Sequence, residues 1–144
     1  QFYGGGYVFY LDETGDHGLV CATEDLDEAP WGCFGTSIPT GTAIGTGATN
    51  TAAIIAGCSE EGIAARLCDN YESNGYSDWF LPSKDEVYIM DQNLRGMGLE
   101  NFPGNFYWSS SHCDNEMAWQ LNPGDILYPN NKSVNISIRP ARVF

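Results

Sequence analysis

Asp78-Trp79-Phe80-Leu81-Pro82-Ser83-Lys84-Asp85-Glu86 carries the most decisive local instruction in this chain. A Ser followed three residues later by a Glu, directly behind a Pro, is the pattern of a capping box, in which each side chain satisfies a backbone N–H that the first helical turn leaves open. Val87, Met90 and Leu94 then repeat at i, i+3 and i+7 along one face, and Gly96 suits a left-handed stop. The spacing predicts a helix from about Lys84 to just before Gly96. Asp85 and Glu86 fall in its first turn, where acidic groups meet the positive end of the helix dipole, so capping and not catalysis is their expected role.

Upstream, Asn50 and Thr51 are candidate caps for Ala52 to Ala56, and Ser59 opens a stretch whose Ile63, Leu67 and Tyr71 fall at i, i+4 and i+8. Both helices are expected to be short and amphipathic. Residues 24 to 50 show no sustained period and are expected to form long surface loops around an anchoring Trp31. Tyr7 to Leu11 and Gly18 to Ala22 are apolar runs separated by polar residues with Gly15, which predicts a β-hairpin. The preceding Gln1 to Gly6 sets Phe2 and Tyr3 on a glycine run, either a frayed terminus, the default expectation, or an arm that docks elsewhere.

Downstream, Tyr107 to Ser110, Met117 to Leu121, Ile126 to Tyr128 and Val134 to Phe144 are short strand-like runs, with Asn122-Pro123-Gly124-Asp125 and Pro129-Asn130-Asn131 as turns. Strand, helices, then strands is the α+β pattern, and nothing divides residues 7 to 144 into more than one domain. Residues 1 to 6 stand apart as an N-terminal arm.

The chain has 144 residues, enough to bury a core, and a formal charge of −13 from nineteen acidic and six basic residues. That sign opposes phosphate neutralisation, which excludes nucleic acid as a partner and argues against adsorption to anionic membranes. No stretch approaches the ~20 apolar residues of a membrane span. The first residue is Gln1, which fits either a processed mature protein or an excised piece. Five cysteines (Cys21, Cys33, Cys58, Cys68 and Cys113) contain no CxxC pair, so disulfides are favoured over zinc. The odd count leaves at least one thiol over, either buried as a small apolar residue or available for a link between chains, and Cys68, on an apolar helical pattern, is the candidate for burial.

Gly5-Gly6-Tyr7-Val8-Phe9-Tyr10, His17-Gly18-Leu19-Val20, Trp31-Gly32-Cys33, Ile44-Gly45-Thr46-Gly47, the Asp78 to Glu86 stretch, Tyr107 to Ser111 and Ile138-Arg139-Pro140-Ala141-Arg142 occur in order across nearly the whole chain. Together they resemble the C-terminal-domain family of a bacterial collagen-like adhesin (the Lcl C-terminal domain family, formerly of unknown function). The resemblance implies a single C-type-lectin-like domain related to the formylglycine-generating enzymes. Two amphipathic helix regions would pack on small antiparallel sheets with long loops, the two chain ends pairing in one sheet. It further implies export, and in some members trimerisation and binding of sulfated glycosaminoglycans, a ligand class that a charge of −13 argues against here. It also implies a Cys33–Cys58 disulfide, and hence an oxidising compartment.

The chemistry of catalysis finds little support. Only His17 and His112 are available as bases, and His112 beside Cys113 does not establish a dyad, because neighbouring residues on a strand face opposite ways. The related oxidase uses a reactive cysteine pair that no motif here places. No active site and no cofactor are assigned, and the chain is expected not to be an enzyme. Glu24, Asp25, Asp27 and Glu28 form an acidic loop of the kind calcium favours, yet without EF-hand spacing, so a solvated charge run is the default reading. Asn131-Lys132-Ser133 and Asn135-Ile136-Ser137 match the glycosylation pattern but would usually stay bare in a bacterial protein.

Trp31, Trp79, Trp108 and Trp119 are mostly expected in the core. Tyr71, Tyr76, Phe102, Phe106 and Tyr128 remain as aromatic candidates for ligand contact at the surface. The leading expectation is a secreted or cell-surface adhesion domain that recognises a glycan or surface polymer through loops 24–50 and 96–131. The alternative is a subunit of an extracellular filament or other surface assembly, in which Phe2 and Tyr3 of the arm, and the sheet edges, contact a neighbour. An oxidase-like enzyme survives only on distant fold analogy.

Overall fold

The computed structural model describes residues 1–99, 105–124 and 126–144. The architecture is α+β. Strands β1 (Phe2–Tyr3), β2 (Gly6–Leu11), β3 (Gly18–Cys21) and β4 (Leu26–Ala29) precede helices α1 (Gly47–Gly57), α2 (Ala64–Asp69) and α3 (Lys84–Leu94). Strands β5 (Tyr107–His112), β6 (Met117–Asn122), β7 (Ile126–Asn131), β8 (Ile136–Ile138) and β9 (Ala141–Val143) complete the chain. They form a four-stranded sheet in the order β1-β2-β3-β9 and a five-stranded sheet in the order β4-β8-β5-β6-β7. The first and last strands therefore share a sheet. Pairing is antiparallel except between β5 and β8, where Tyr107 lies opposite Ser137 in parallel. No helix among the described residues is long and apolar enough to cross a membrane.

Helix α3 starts where its sequence places it. Ser83 accepts from the Glu86 amide and Glu86 accepts from the Ser83 amide, completing the capping box. Glu86 is fully buried, and its second oxygen accepts from the Gly45 amide at 2.8 Å, so the cap also holds the loop that leads into α1. That loop accounts for a correction. Helix α1 begins at Gly47, not at Asn50, and Asn50 instead binds Gly41 through both its amide and carbonyl groups. Its first turn sits so close to α3 that a Cβ at Gly47 would lie 2.3 Å from Glu86 Oε1. The second helix likewise begins at Ala64, after Ile63, and not at Ser59.

Three further expectations change. The segment 24–50 is not all loop, because Leu26–Ala29 pairs with β8. Pro129-Asn130-Asn131 is not a turn but the end of β7, an edge strand on which proline is tolerated. Gln1 to Gly6 is not frayed: Gly4 (φ 57°) and Gly5 (φ 88°) turn the chain so that Phe2 pairs with Tyr7 and Tyr3 with Gly6.

The largest core cluster gathers Trp31, Ile38, Ile54, Ile63, Leu81, Trp108 and Ile138 between the helices and the five-stranded sheet. A second joins Phe9, Leu19, Phe80, Met90 and Leu94 beneath the four-stranded sheet. Where the chain passes from β8 in one sheet to β9 in the other, buried Arg139 stitches them together. It donates to Asp25 Oδ1 at 2.7 Å and to the Ala22 carbonyl at 2.8 Å, and the Tyr107 hydroxyl donates to the same carboxylate at 2.9 Å. Cys33 and Cys58 are bonded, with their Cα atoms 5.9 Å apart, closing the loop between β4 and the end of α1. Cys68 is buried at α2, as its apolar pattern suggests; Cys21 is buried too, and Cys113 is exposed.

Candidate functional site

The aromatic candidates separate into three places. Tyr71 packs edge-on against Trp79, with ring centroids 5.3 Å apart, and its hydroxyl donates to Glu24 at 3.3 Å. Tyr76 covers the Arg142 guanidinium, whose central carbon lies 3.7 Å from the ring centroid. Both rings are engaged by the chain itself. Phe106, the residue just before β5, and Tyr128 on β7 are 50% and 55% exposed. Phe102 lies outside the described residues.

Phe106 borders a groove of about 420 Å³ together with Glu28, Gln120, Asn130, Val134 and Asn135. Cross-strand register sets Gln120 directly opposite Tyr128, on the face that also carries Trp108. The carboxamides are linked: Gln120 donates to Asn122, and Asn130 donates to Gln120 Oε1 at 2.9 Å. Sequence reasoning placed the two rings at the surface but missed the amides, since Asn130 read as a turn residue and Asn135 as part of a strand and a glycosylation-type motif. Only strand register reveals Gln120 on the same face.

The N-terminal hairpin forms a second feature. Phe2, Tyr3, Leu11 and Val143 are 56%, 59%, 53% and 52% exposed. A groove lined by Gln1, Tyr3, Val8, Leu11, Asp16 and Phe144 runs beside them. The turn behind β1 is bolted down. Arg142 donates to the Gly4 carbonyl at 2.7 Å while chelating Asp78 at 2.7 and 3.1 Å, and Asn74 donates to the Gly5 carbonyl at 3.0 Å. The hydrogen bonds from Arg142 hold the Asp78 carboxyl below its ordinary range. Strand β1 is thus a fixed element whose outer edge has no partner strand among the described residues.

The groups singled out for chemistry are dispersed. His17 is exposed at the β2–β3 turn, within 3.3 Å of the Phe144 carbonyl. His112 ends β5, and burial, followed by the charge of Lys132, holds its pKa below the usual histidine value. Burial pushes the Cys21 thiol up to about 12 and Cys68 well above its ordinary value, which suppresses the thiolate a nucleophile would need. The acidic loop does not converge: Asp25 binds Arg139 and Tyr107, Glu24 binds Tyr71, and Asp27 and Glu28 are exposed on β4. Among the described residues, one group has the spacing of metal ligands, Cys33, Cys58 and Glu60. Its two sulfurs are bonded to each other and so are not available as thiolates.

Positive charge is used internally. Arg66 binds the carbonyls of Glu60, Ile55 and Cys58, Arg95 pairs with Asp91, Arg139 with Asp25 and Arg142 with Asp78. Lys132 is buried against Trp31 and the Thr36 carbonyl, and Lys84 lies 3.9 Å from the centre of the Trp119 ring. All six basic side chains of the protein are thereby occupied, and none of them lines the groove beside Phe106.

No protein-family model and no curated protein matches the chain. Among solved structures, the crystal structure of a fimbrial protein from Bacteroides ovatus is similar, with a TM-score of 0.62 over 88% of this chain at 12% identity. The chain spans about a third (35%) of the length of that protein. At such low identity the likeness concerns the fold.

Proposed function

We propose that this domain is a non-enzymatic module of an extracellular surface assembly, joined to a second copy through the outer edge of β1. The observation that carries the reading is a short edge strand held rigidly from behind while Phe2 and Tyr3 stand more than half exposed in front. An unpaired edge offers backbone N–H and C=O groups to another chain, and the neighbouring aromatic and aliphatic side chains add apolar area. A fixed edge loses little entropy on docking. The likeness to a fimbrial protein supports the same reading, as does the absence from the chain of any free basic face for a polyanion.

We further infer that the architecture is C-type-lectin-like, supported by the sharing of one sheet between the first and last strands. Assembly at −13 per chain requires screened charge, so the test is made at physiological ionic strength. Light scattering of the wild type is expected to show mass rising with concentration. A Phe2→Ser/Tyr3→Ser variant, which leaves the Gly4 and Gly5 anchors in place, is expected to stay folded and monomeric, with a melting temperature lowered only modestly by loss of the edge-on contacts of Phe2 with Tyr7 and Tyr3 with Phe144. Equal association by both proteins would refute the role of β1.

A further inference from the structure

We propose that the groove beside Phe106 is a binding site for a neutral glycan, a property separate from assembly through β1. Three observations converge on that ligand class.

The polar lining is mostly carboxamide, with the Ser137 hydroxyl and the single carboxylate of Glu28 among its described residues. Asn130 and Asn135 each carry both an N–H donor and a C=O acceptor, which matches sugar hydroxyls, themselves donors and acceptors. The chain from Asn130 through Gln120 to Asn122 orients Asn130 before any ligand arrives. A side-chain amide nitrogen carries two hydrogens; Asn130 commits one to this chain and keeps one for a ligand, while Gln120, only 3% exposed, holds Asn130 in place. Preorganised donors of this sort avoid the ordering cost that weakens flexible polar sites.

An apolar face lies alongside. Phe106 is half exposed, with Val134 beside it at 41%, so the groove pairs an aromatic plane with hydrogen-bonding groups. Pyranose rings present an axial C–H face and an equatorial rim of hydroxyls, and need both kinds of partner at once. The volume of about 420 Å³ lies within the ~300–1,000 Å³ typical of small-molecule sites.

Charge selects against the other sources of similar chemistry. Among the described residues no Lys or Arg lines the groove and the one carboxylate is Glu28, so a sulfated or uronic sugar would meet repulsion without compensation. Glu28 accepts hydrogen bonds from hydroxyls as well as any carboxylate does.

The test uses the full chain, labelled with ¹⁵N, and a panel of neutral oligosaccharides of two to six residues (gluco-, manno-, xylo- and chito-oligomers), with heparin fragments as the charged arm. At least one neutral oligomer is expected to shift the side-chain amide signals of Asn130 and Asn135 saturably, with Kd between roughly 10 µM and 1 mM. Phe106→Ala and Asn135→Ala alter exposed side chains, so both variants are expected to keep the wild-type melting temperature and bind about fivefold or more weakly. Affinity is expected to be the same at low and high salt, since no ion pair forms. The proposal is overturned if no neutral oligomer moves these signals at about 10 mM, if both variants bind as wild type does, or if heparin alone binds. It is equally overturned if the signals move with protein concentration in place of sugar, which would make the groove a contact between copies.

Discussion

Replacing Asp25 with Ala removes the carboxylate shared by the Arg139 guanidinium, 1% exposed, and the Tyr107 hydroxyl. The ion pair is short at 2.7 Å, and its side chains are 0% and 16% exposed, so solvent screens it little and cannot readily replace it. Stripping one partner from a buried pair costs about 3–5 kcal/mol, because the remaining charge stays desolvated. Arg139 keeps its bond to the Ala22 carbonyl, which places the expected loss near the lower end, about 3 kcal/mol. At ~2.1 cal/mol/K of unfolding entropy per residue, a chain of 144 residues loses roughly 3 °C per kcal/mol, giving a fall in Tm of about 10 °C. Urea unfolding of the wild type, Asp25→Ala, Arg139→Met and the double variant measures the coupling directly. Arg139→Met is expected to cost less than Asp25→Ala, since methionine carries no charge to strand. A loss below about 1 kcal/mol for Asp25→Ala would refute the view that this node joins the two sheets.

Reduction of the Cys33–Cys58 bridge, or its replacement by two Ser residues, frees a loop with ends 25 residues apart and is expected to cost about 3.5 kcal/mol in the chain-entropy estimate, measured as the shift in urea midpoint with and without reductant. Gly47→Ala sets a Cβ against the Glu86 carboxylate and the Phe80 ring, at 2.3 and 2.6 Å, and is expected to destabilise by about 1–3 kcal/mol, whereas Gly35→Ala tests strain alone, since no atom lies within 4 Å of its Cβ. The depressed pKa of Asp78 means that its pairing with Arg142 contributes fully above the unfolded value of 3.8 and is lost as pH falls through the lower, folded one. A melting-temperature profile is therefore expected to fall more gently below pH 3.8 in Asp78→Asn than in the wild type, and the modest size of the difference follows from the exposure of Asp78.

Local signals carried far in this chain. The capping box at Ser83 and Glu86 was legible because both partners lie within one helical turn, and the β2–β3 hairpin because its strands adjoin in sequence. The start of α1 was not, because it depends on Gly47 meeting Phe80 and Glu86, residues more than thirty positions away. Strand β4 was illegible for a similar reason: Leu-Asp-Glu-Ala has no strand character of its own and is ordered by pairing with β8 near the other end of the chain. The groove shows the same limit. Phe106 and Tyr128 could be chosen as exposed rings, but their company with Gln120 and Asn130 arises only from the register of β5, β6 and β7.

Hydrogen–deuterium exchange, comparing dilute with concentrated protein at physiological salt, reports most directly whether the edge of β1 joins one copy to the next. Slower exchange confined to residues 1–11 and 141–144, growing with the mass of the assembly, is the expected result. An assembly whose protection appears elsewhere, or a protein that stays monomeric at every concentration, would contradict it.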